Sequence, residues 1–177
     1  CYVGFEGGSH NKGTIKGASN LYKSQLKLKN INSMYHQSYG RSELSVSNIN
    51  NWIYQNTQKK THMVIGGDHS IAIGSVLSSI NKYNNLAVIW CDAHADINTY
   101  ESSKTKNIHG MPLSFILGNE KRWNWTHKLK KLKTKDLYYI GIRDLDDYET
   151  DFIKKNDIKV LQDPSQIKEI TESYQNI

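Results

Sequence analysis

Residues 86–91, Leu86-Ala87-Val88-Ile89-Trp90-Cys91, carry no charged or amide side chain, and the run breaks off at Asp92. A short strand without a polar face is stable when both of its faces are covered, as in a parallel sheet sandwiched between helices. The rest of the chain fits that requirement. Strands are expected at 2–5, 61–65, 86–91, 137–140 and 159–161, and helices at 17–28, 44–58, 70–83, 111–117, 148–155 and 164–174. Ser42 is a good helix start ahead of the second helix, and Asp163 precedes a proline suited to a first helical turn. Strands alternating with helices give an α/β fold, a three-layer sandwich with a mostly parallel central sheet. With two prolines, no internal repeat and no linker-like stretch, residues 1–177 read as a single domain. The segment 7–17 is expected to be the most flexible.

The residues that follow the apolar run carry the chemistry. Asp92, His94 and Asp96 alternate, and if the backbone stays extended they project to one side at the carboxyl end of the strand. Upstream, Gly66 and Gly67 let the strand at 61–65 turn tightly into a helix, which places His69 at a second strand's carboxyl end. Open α/β sheets keep their sites there. Imidazole and carboxylate without a cysteine pair suit a hard or borderline divalent ion such as Mn²⁺ more than structural zinc.

Composition narrows the alternatives. At 177 residues the chain can bury a sizeable core, and 37% apolar with 23% charged residues suits a globular protein. No apolar run is long enough to span a bilayer, so no membrane partner is expected. The net charge of +6 is concentrated in Lys128, Lys130, Lys131, Lys133 and Lys135, broken by Leu129 and Leu132. That spacing suits a short surface helix with a solvated face, and no arginine cluster or aromatic platform accompanies it, so no nucleic acid is expected. Cys1 and Cys91 make no disulfide framework, which points to a reducing compartment: cytoplasmic, with a mitochondrial setting also open.

Three blocks now stand together: Gly66-Gly67-Asp68-His69-Ser70, Asp92-Ala93-His94-Ala95-Asp96-Ile97-Asn98-Thr99, and Asn107-Ile108-His109-Gly110-Met111-Pro112. They resemble the signature blocks of the ureohydrolases, and within them of the arginases. The likeness runs through residues 63–118 and returns at 139–146. It implies a binuclear manganese centre in which His69 and Asp96 serve one ion, His94 the other, and Asp92 bridges both. It implies hydrolysis of L-arginine to L-ornithine and urea, with hydroxide formed between the ions as nucleophile. Asp96 would lie beside that solvent, and His109 would be a mobile proton relay. Asn98, Thr105 and Asn107 would contact the substrate's α-carboxylate, with Thr105 in place of the usual serine. Asp146 would contact its ammonium, and Glu149 would stand close by in support. A loop near the rim of the site, formed by 7–17, and a homo-oligomer, a trimer, are also implied.

The resemblance further implies a second metal block, a strand ending in two aspartates, and a guanidinium-binding glutamate, neither of which matches any segment here. On that reading the chain is the amino-terminal part of a longer protein, inactive by itself and prone to aggregate. The alternatives are a related amidino hydrolase acting on agmatine or formiminoglutamate, and a non-catalytic metal-binding relative.

Overall fold

β4 (Val88–Cys91), β5 (Leu137–Ile140) and β6 (Lys159–Leu161) run parallel in the order β4-β5-β6, in a computed structural model that describes residues 1–5, 14–25, 34–37, 42–58 and 61–177. β1 (Tyr2–Gly4), β2 (Tyr35–Gln37) and β3 (Ile65–Gly66) form a second parallel set in the order β2-β1-β3. Around them lie α1 (Thr14–Gln25), α2 (Glu43–Thr57), α3 (Ala72–Lys82), α4 (Pro112–Leu117), α5 (Asp147–Lys155) and α6 (Ile167–Ser173). This is the expected α/β alternation. Most of the rim loop expected at 7–17, and the end of the helix expected at 17–28, lie outside the described residues.

Three local expectations change. The strand expected at 61–65 is confined to Ile65–Gly66, and β2 has no counterpart in the sequence reading. The apolar run is strand only from Val88, because the Ala87 N–H donates to Asn176 O at 3.0 Å in an isolated parallel bridge. Nor is β4 covered throughout: Val88 and Ile89 are half-buried and Cys91 is exposed. Beyond that bridge, β4 has no strand partner on the edge away from β5 among the described residues. An open groove of about 540 Å³ lies along that edge, lined by Val64, Val76, Leu86, Val88 and Ile89.

The basic run is the third change. Residues 128–133 form no helix. Lys130 N–H donates to Asn81 Oδ1 at 2.9 Å and Leu132 N–H to Ile116 O at 3.1 Å, so these donors are taken by tertiary partners. Leu132 is buried, and the Lys131 stem lies across Gly118, with Nζ donating to Phe115 O at 3.2 Å. Burial there brings the Lys131 pKa down to about 8. The helical spacing of the two leucines records core insertion and not a helix face.

One continuous core joins both sets of strands: Val3, Phe5, Ile49, Ile53, Ile73, Leu77, Ile97, Met111, Leu113, Phe115, Leu137 and Tyr139 are all essentially inaccessible. Full burial of an aliphatic or aromatic side chain of this size is worth about 1.5–3 kcal/mol. Where α2 meets α3 the packing is backbone on backbone. A Cβ at Gly74 would lie 2.2 Å from Asn50 O, and the buried Asn50 accepts the Gly74 N–H at 2.8 Å while its amide donates to Val46 O at 2.9 Å. Asn50 thus serves an N–H of the first turn of α3, whose N-cap residue, Ile71, makes no side-chain cap bond.

Gly74→Ala is therefore expected to lower the urea midpoint. Overpacking costs about 1–3 kcal/mol and here presses on backbone, which outweighs a helix-propensity gain of about 1 kcal/mol. Gly17→Ala, in a helix with open space around the position, is expected to hold or raise the midpoint. Equal responses of the two variants would contradict the close α2–α3 contact.

Candidate active site

The sequence blocks meet at the carboxyl ends of the strands. After β3 the chain passes under the end of β1, with Gly67 N–H donating to Val3 O and Asp68 N–H to Phe5 O, both at 3.0 Å. A Cβ at Gly67 would lie 1.6 Å from Phe5 O, and one at Gly66 1.6 Å from Ile71 Cδ1. Neither glycine has positive φ. They are needed for closeness of approach, not for the tight turn expected of them. Asp68 then caps the short 3₁₀ turn His69–Ile71, its Oδ1 accepting from Ser70 N at 2.9 Å and Ser70 Oγ at 2.5 Å. The His69 ring stacks on the buried Trp90 of β4 at 4.7 Å between centroids.

After β4 the backbone does not stay extended as the alternation suggested. Asp92 Oδ1 accepts the His94 N–H at 3.0 Å, which bends the chain, and Asp96 takes a left-handed conformation with φ of 51°. The bend separates the three ligand candidates. Asp96 turns inward and is buried, whereas the His94 side chain is 55% exposed. Asp96 is held by its neighbours. Leu113 N–H donates to Asp96 O at 3.0 Å, Tyr139 Oη to Ala95 O at 2.9 Å, Ile97 N–H to Glu149 Oε1 at 3.3 Å, and Ser114 Oγ to Ile97 O.

His69, Asp92 and Asp96 consequently present ligand atoms within 4.8 Å of one another. His69 Nδ1 lies 2.7 Å from Asp96 Oδ2 and 3.1 Å from Asp92 Oδ2. His94 stands outside this group but reaches the other Asp92 oxygen, with Nδ1 3.3 Å from Oδ1, while its Nε2 faces Asp144 at 3.5 Å. Asp92 therefore lies between two imidazoles, one oxygen toward each. Asp96 Oδ2 is buried with no aligned hydrogen-bond donor, although His69 Nδ1 is close. A buried carboxylate oxygen left without a donor is costly unless a cation sits against it. The donor set of one imidazole nitrogen and carboxylate oxygens fits a divalent metal. Without one, burial disfavours the charge on His69, but the Asp96 carboxylate 2.7 Å away, with Asp92 and Asp68, outweighs this and raises its pKa. An open pocket of about 440 Å³ between Gly67, His69, Cys91 and Asp92 leads to the cluster.

The residues expected at the substrate fall into two groups. Asn98 and Asp146 touch each other, Nδ2 donating to Oδ2 at 2.7 Å, and Asn98 Oδ1 accepts from Ser102 Oγ at 2.7 Å. Asp146 also caps α5 in a reciprocal capping box with Glu149. Glu149 is buried and spends both oxygens on backbone N–H groups, so it braces Ile97 and Asp146 from beneath instead of facing a ligand. Burial raises its pKa, partly offset by the Ile97 N–H. Thr105 is exposed, its Oγ1 accepting the Asn107 N–H at 3.3 Å, and Lys106 between them has a φ of 59°. His109 rides on the 3₁₀ turn Ile108–Gly110, which packs against the His69 turn. Trp90, Tyr139 and Ser114 support the site without having stood out in the sequence; all three lie in apolar stretches and read there simply as core.

The Arginase family model matches residues 4–175. An arginase of Bacillus subtilis is 41% identical over 140 residues, covering 78% of this chain and 45% of that protein. One from Plasmodium berghei is 38% identical over 148 residues, with 78% and 42% covered. The chain thus spans less than half the length of these curated relatives. Among solved structures, the Entamoeba histolytica arginase in complex with L-ornithine superimposes with a TM-score of 0.76 at 26% identity, over 97% of this chain and 67% of that one.

The raised pKa of His69 sets a direction for pH. With its folded value above the ordinary 6.5, the ion pair stabilises the metal-free protein fully at lower pH, and this is lost as pH rises through the folded value. Melting temperatures in chelator are expected to fall over that window and to flatten in His69→Asn. An added divalent cation displaces the proton, so its stabilisation is expected to grow as pH rises. A wild-type profile already flat in chelator, and unchanged by the substitution, would contradict the His69–Asp96 pairing.

Proposed function

The chain belongs to the arginase family, and from that premise we propose that the protein hydrolyses L-arginine to L-ornithine and urea at the cluster of His69, Asp92 and Asp96. The observation that carries the reading is the convergence of these three ligands, with Asp92 turning its second oxygen toward His94. His69, Asp92 and Asp96, with His94 beside Asp92, would hold the metal, which we take to be Mn²⁺. When bound, the metal acts as a Lewis acid that makes water a nucleophile near neutral pH.

The chain's own residues supply the rest. Asp92 and Asp96 would hold the metal with His69, whose ring is fixed in orientation by Trp90. Asp96, buried at the cluster, is assigned the proton removed from water. His109, on its short turn beside His69, is assigned the transfer of a proton to the departing amine as the guanidinium carbon–nitrogen bond breaks. Asn98, Thr105 and Asn107 are assigned to the α-carboxylate and Asp146 to the α-ammonium. The L-ornithine held by the Entamoeba arginase is the product this reaction would leave.

Two measurements on the natural polypeptide that carries this sequence test the reading. Metal analysis is expected to find two manganese ions per chain, with urea released from L-arginine in preference to agmatine; metal bound with no urea released would make the cluster a structural metal site. His109→Ala is expected to lower kcat by about ten-fold or more with metal content intact, since a proton relay acts in the transition state. Parallel loss of metal would make His109 structural.

A further inference from the structure

The loop 99–107 joins Asn98 to Asn107, yet it buries no apolar side chain; only Ser103 is buried within it. Its order must come from polar contacts: several are internal, among Thr99, Ser102, Ser103 and Lys106, and those to the 120–122 segment meet at Tyr100. The Tyr100 N–H donates to Glu120 Oε2 at 3.0 Å. Glu120 is itself buried, its Oε1 accepting the backbone N–H groups of Lys121 at 3.0 Å and Arg122 at 3.3 Å, and it forms an ion pair with the Arg122 guanidinium, whose Nε lies 3.0 Å away without a hydrogen bond. The Arg122 guanidinium lies over the Tyr100 ring at 4.5 Å, and its Nη1 reaches Glu43 Oε2 of α2 at 3.0 Å. On the same ring, Lys106 Nζ lies 4.8 Å from the centroid and also bonds Tyr100 O.

Glu120 is tied in turn to the metal segment. Its N–H donates to Ser114 O at 3.0 Å, and Ser114 Oγ holds Ile97 O, one residue from Asp96. α4 therefore grips the metal-bearing backbone at its start and the loop just past its end. A buried carboxylate paired with a stacked guanidinium is a rigid anchor, because the five N–H donors of arginine lie in one fixed plane.

We propose that Glu120 and Arg122 are positioning residues: by clamping Tyr100 they hold the loop so that Asn98, Thr105 and Asn107 face the substrate's α-carboxylate at a fixed distance from the metal cluster. This rests on the arginine-hydrolase reading.

The test compares Glu120→Ala and the milder Arg122→Gln in the natural polypeptide, with L-arginine and with agmatine, which lacks the carboxylate. KM for L-arginine is expected to rise about five-fold or more while kcat and the agmatine KM move less than about two-fold, the signature of lost ground-state binding at one group. Arg122→Lys is expected to recover little, because an ammonium does not reproduce the planar stack. Amide exchange of 99–107 should quicken in both main variants, with 112–117 unchanged. Equal losses on both substrates would reduce the pair to a structural role, and unchanged exchange of the loop would remove the clamp itself. If the wild type released no urea from L-arginine, the parent reading would fall and the positioning role with it, whereas the exchange result would still decide whether the clamp exists.

Discussion

The left-handed backbone of Asp96 is the constraint on which the rest of the site depends. A non-glycine residue held there costs about 1–2 kcal/mol, and aspartate tolerates it better than most. The cost is offset by four hydrogen bonds on Ala95–Ile97, supplied by Tyr139 of β5, by Leu113 and Ser114 of α4, and by Glu149 of α5. At about 0.5–1.5 kcal/mol net for each such bond, the set exceeds the strain, and removing any partner would also leave a buried polar group unmet. Three separate elements therefore decide where one carboxylate points. Burial and neighbouring acids push the pKa of Tyr139 well above its ordinary value, so its hydroxyl remains a donor to Ala95 at any working pH.

The two sets of strands meet functionally at this point. β3 delivers His69, and β4 delivers Asp92 and Asp96; the Trp90 stack and the two His69 ion pairs join the two sets at the site. Close approach of backbone makes this feasible. Gly67 admits Phe5 O, and Gly141, with a φ of 86°, lets Arg143 and Asp144 return to donate to Ala93 O at 2.9 and 3.0 Å. That return brings Asp144 within reach of His94 and sets Asp146 against Asn98. The negative charge gathered around His69 is a liability in an empty site and an asset once a divalent ion is held. A proton and a divalent ion would therefore compete for the same imidazole.

Support and recognition are also divided between rigid and less rigid parts. The ligand candidates sit on short turns pinned to the core, whereas Thr105 and Asn107, the candidates for substrate contact, sit on a loop with no apolar anchor. A polar anchor such as Glu120 fixes distance without filling volume, which leaves the loop's outer side for a ligand.

The sequence by itself determined the alternation of strands and helices, the strand at 137–140, the caps at Ser42 and Asp163, and the identity of the ligand candidates, because these follow from local hydrophobic period, turn chemistry and donor type. Its geometry for Asp92, His94 and Asp96 rested on an extended chain, and the tertiary structure decided otherwise: an Asp92 turn and a left-handed Asp96, stabilised by residues up to 52 positions away, bury one ligand and expose another. The lysine-rich stretch is a similar case, since its leucine spacing matches a helix but its N–H groups are claimed by Asn81 and Ile116. β2 and the shortened β3 depend on pairing with β1, which three or two residues of local pattern do not announce. Glu149 was legible as an acid near the site, but whether it faced a ligand or braced the backbone was fixed only by its burial beneath Ile97. Residue type sets what a side chain is able to do, and long-range hydrogen bonds and close packing set which of its groups remain available to do it.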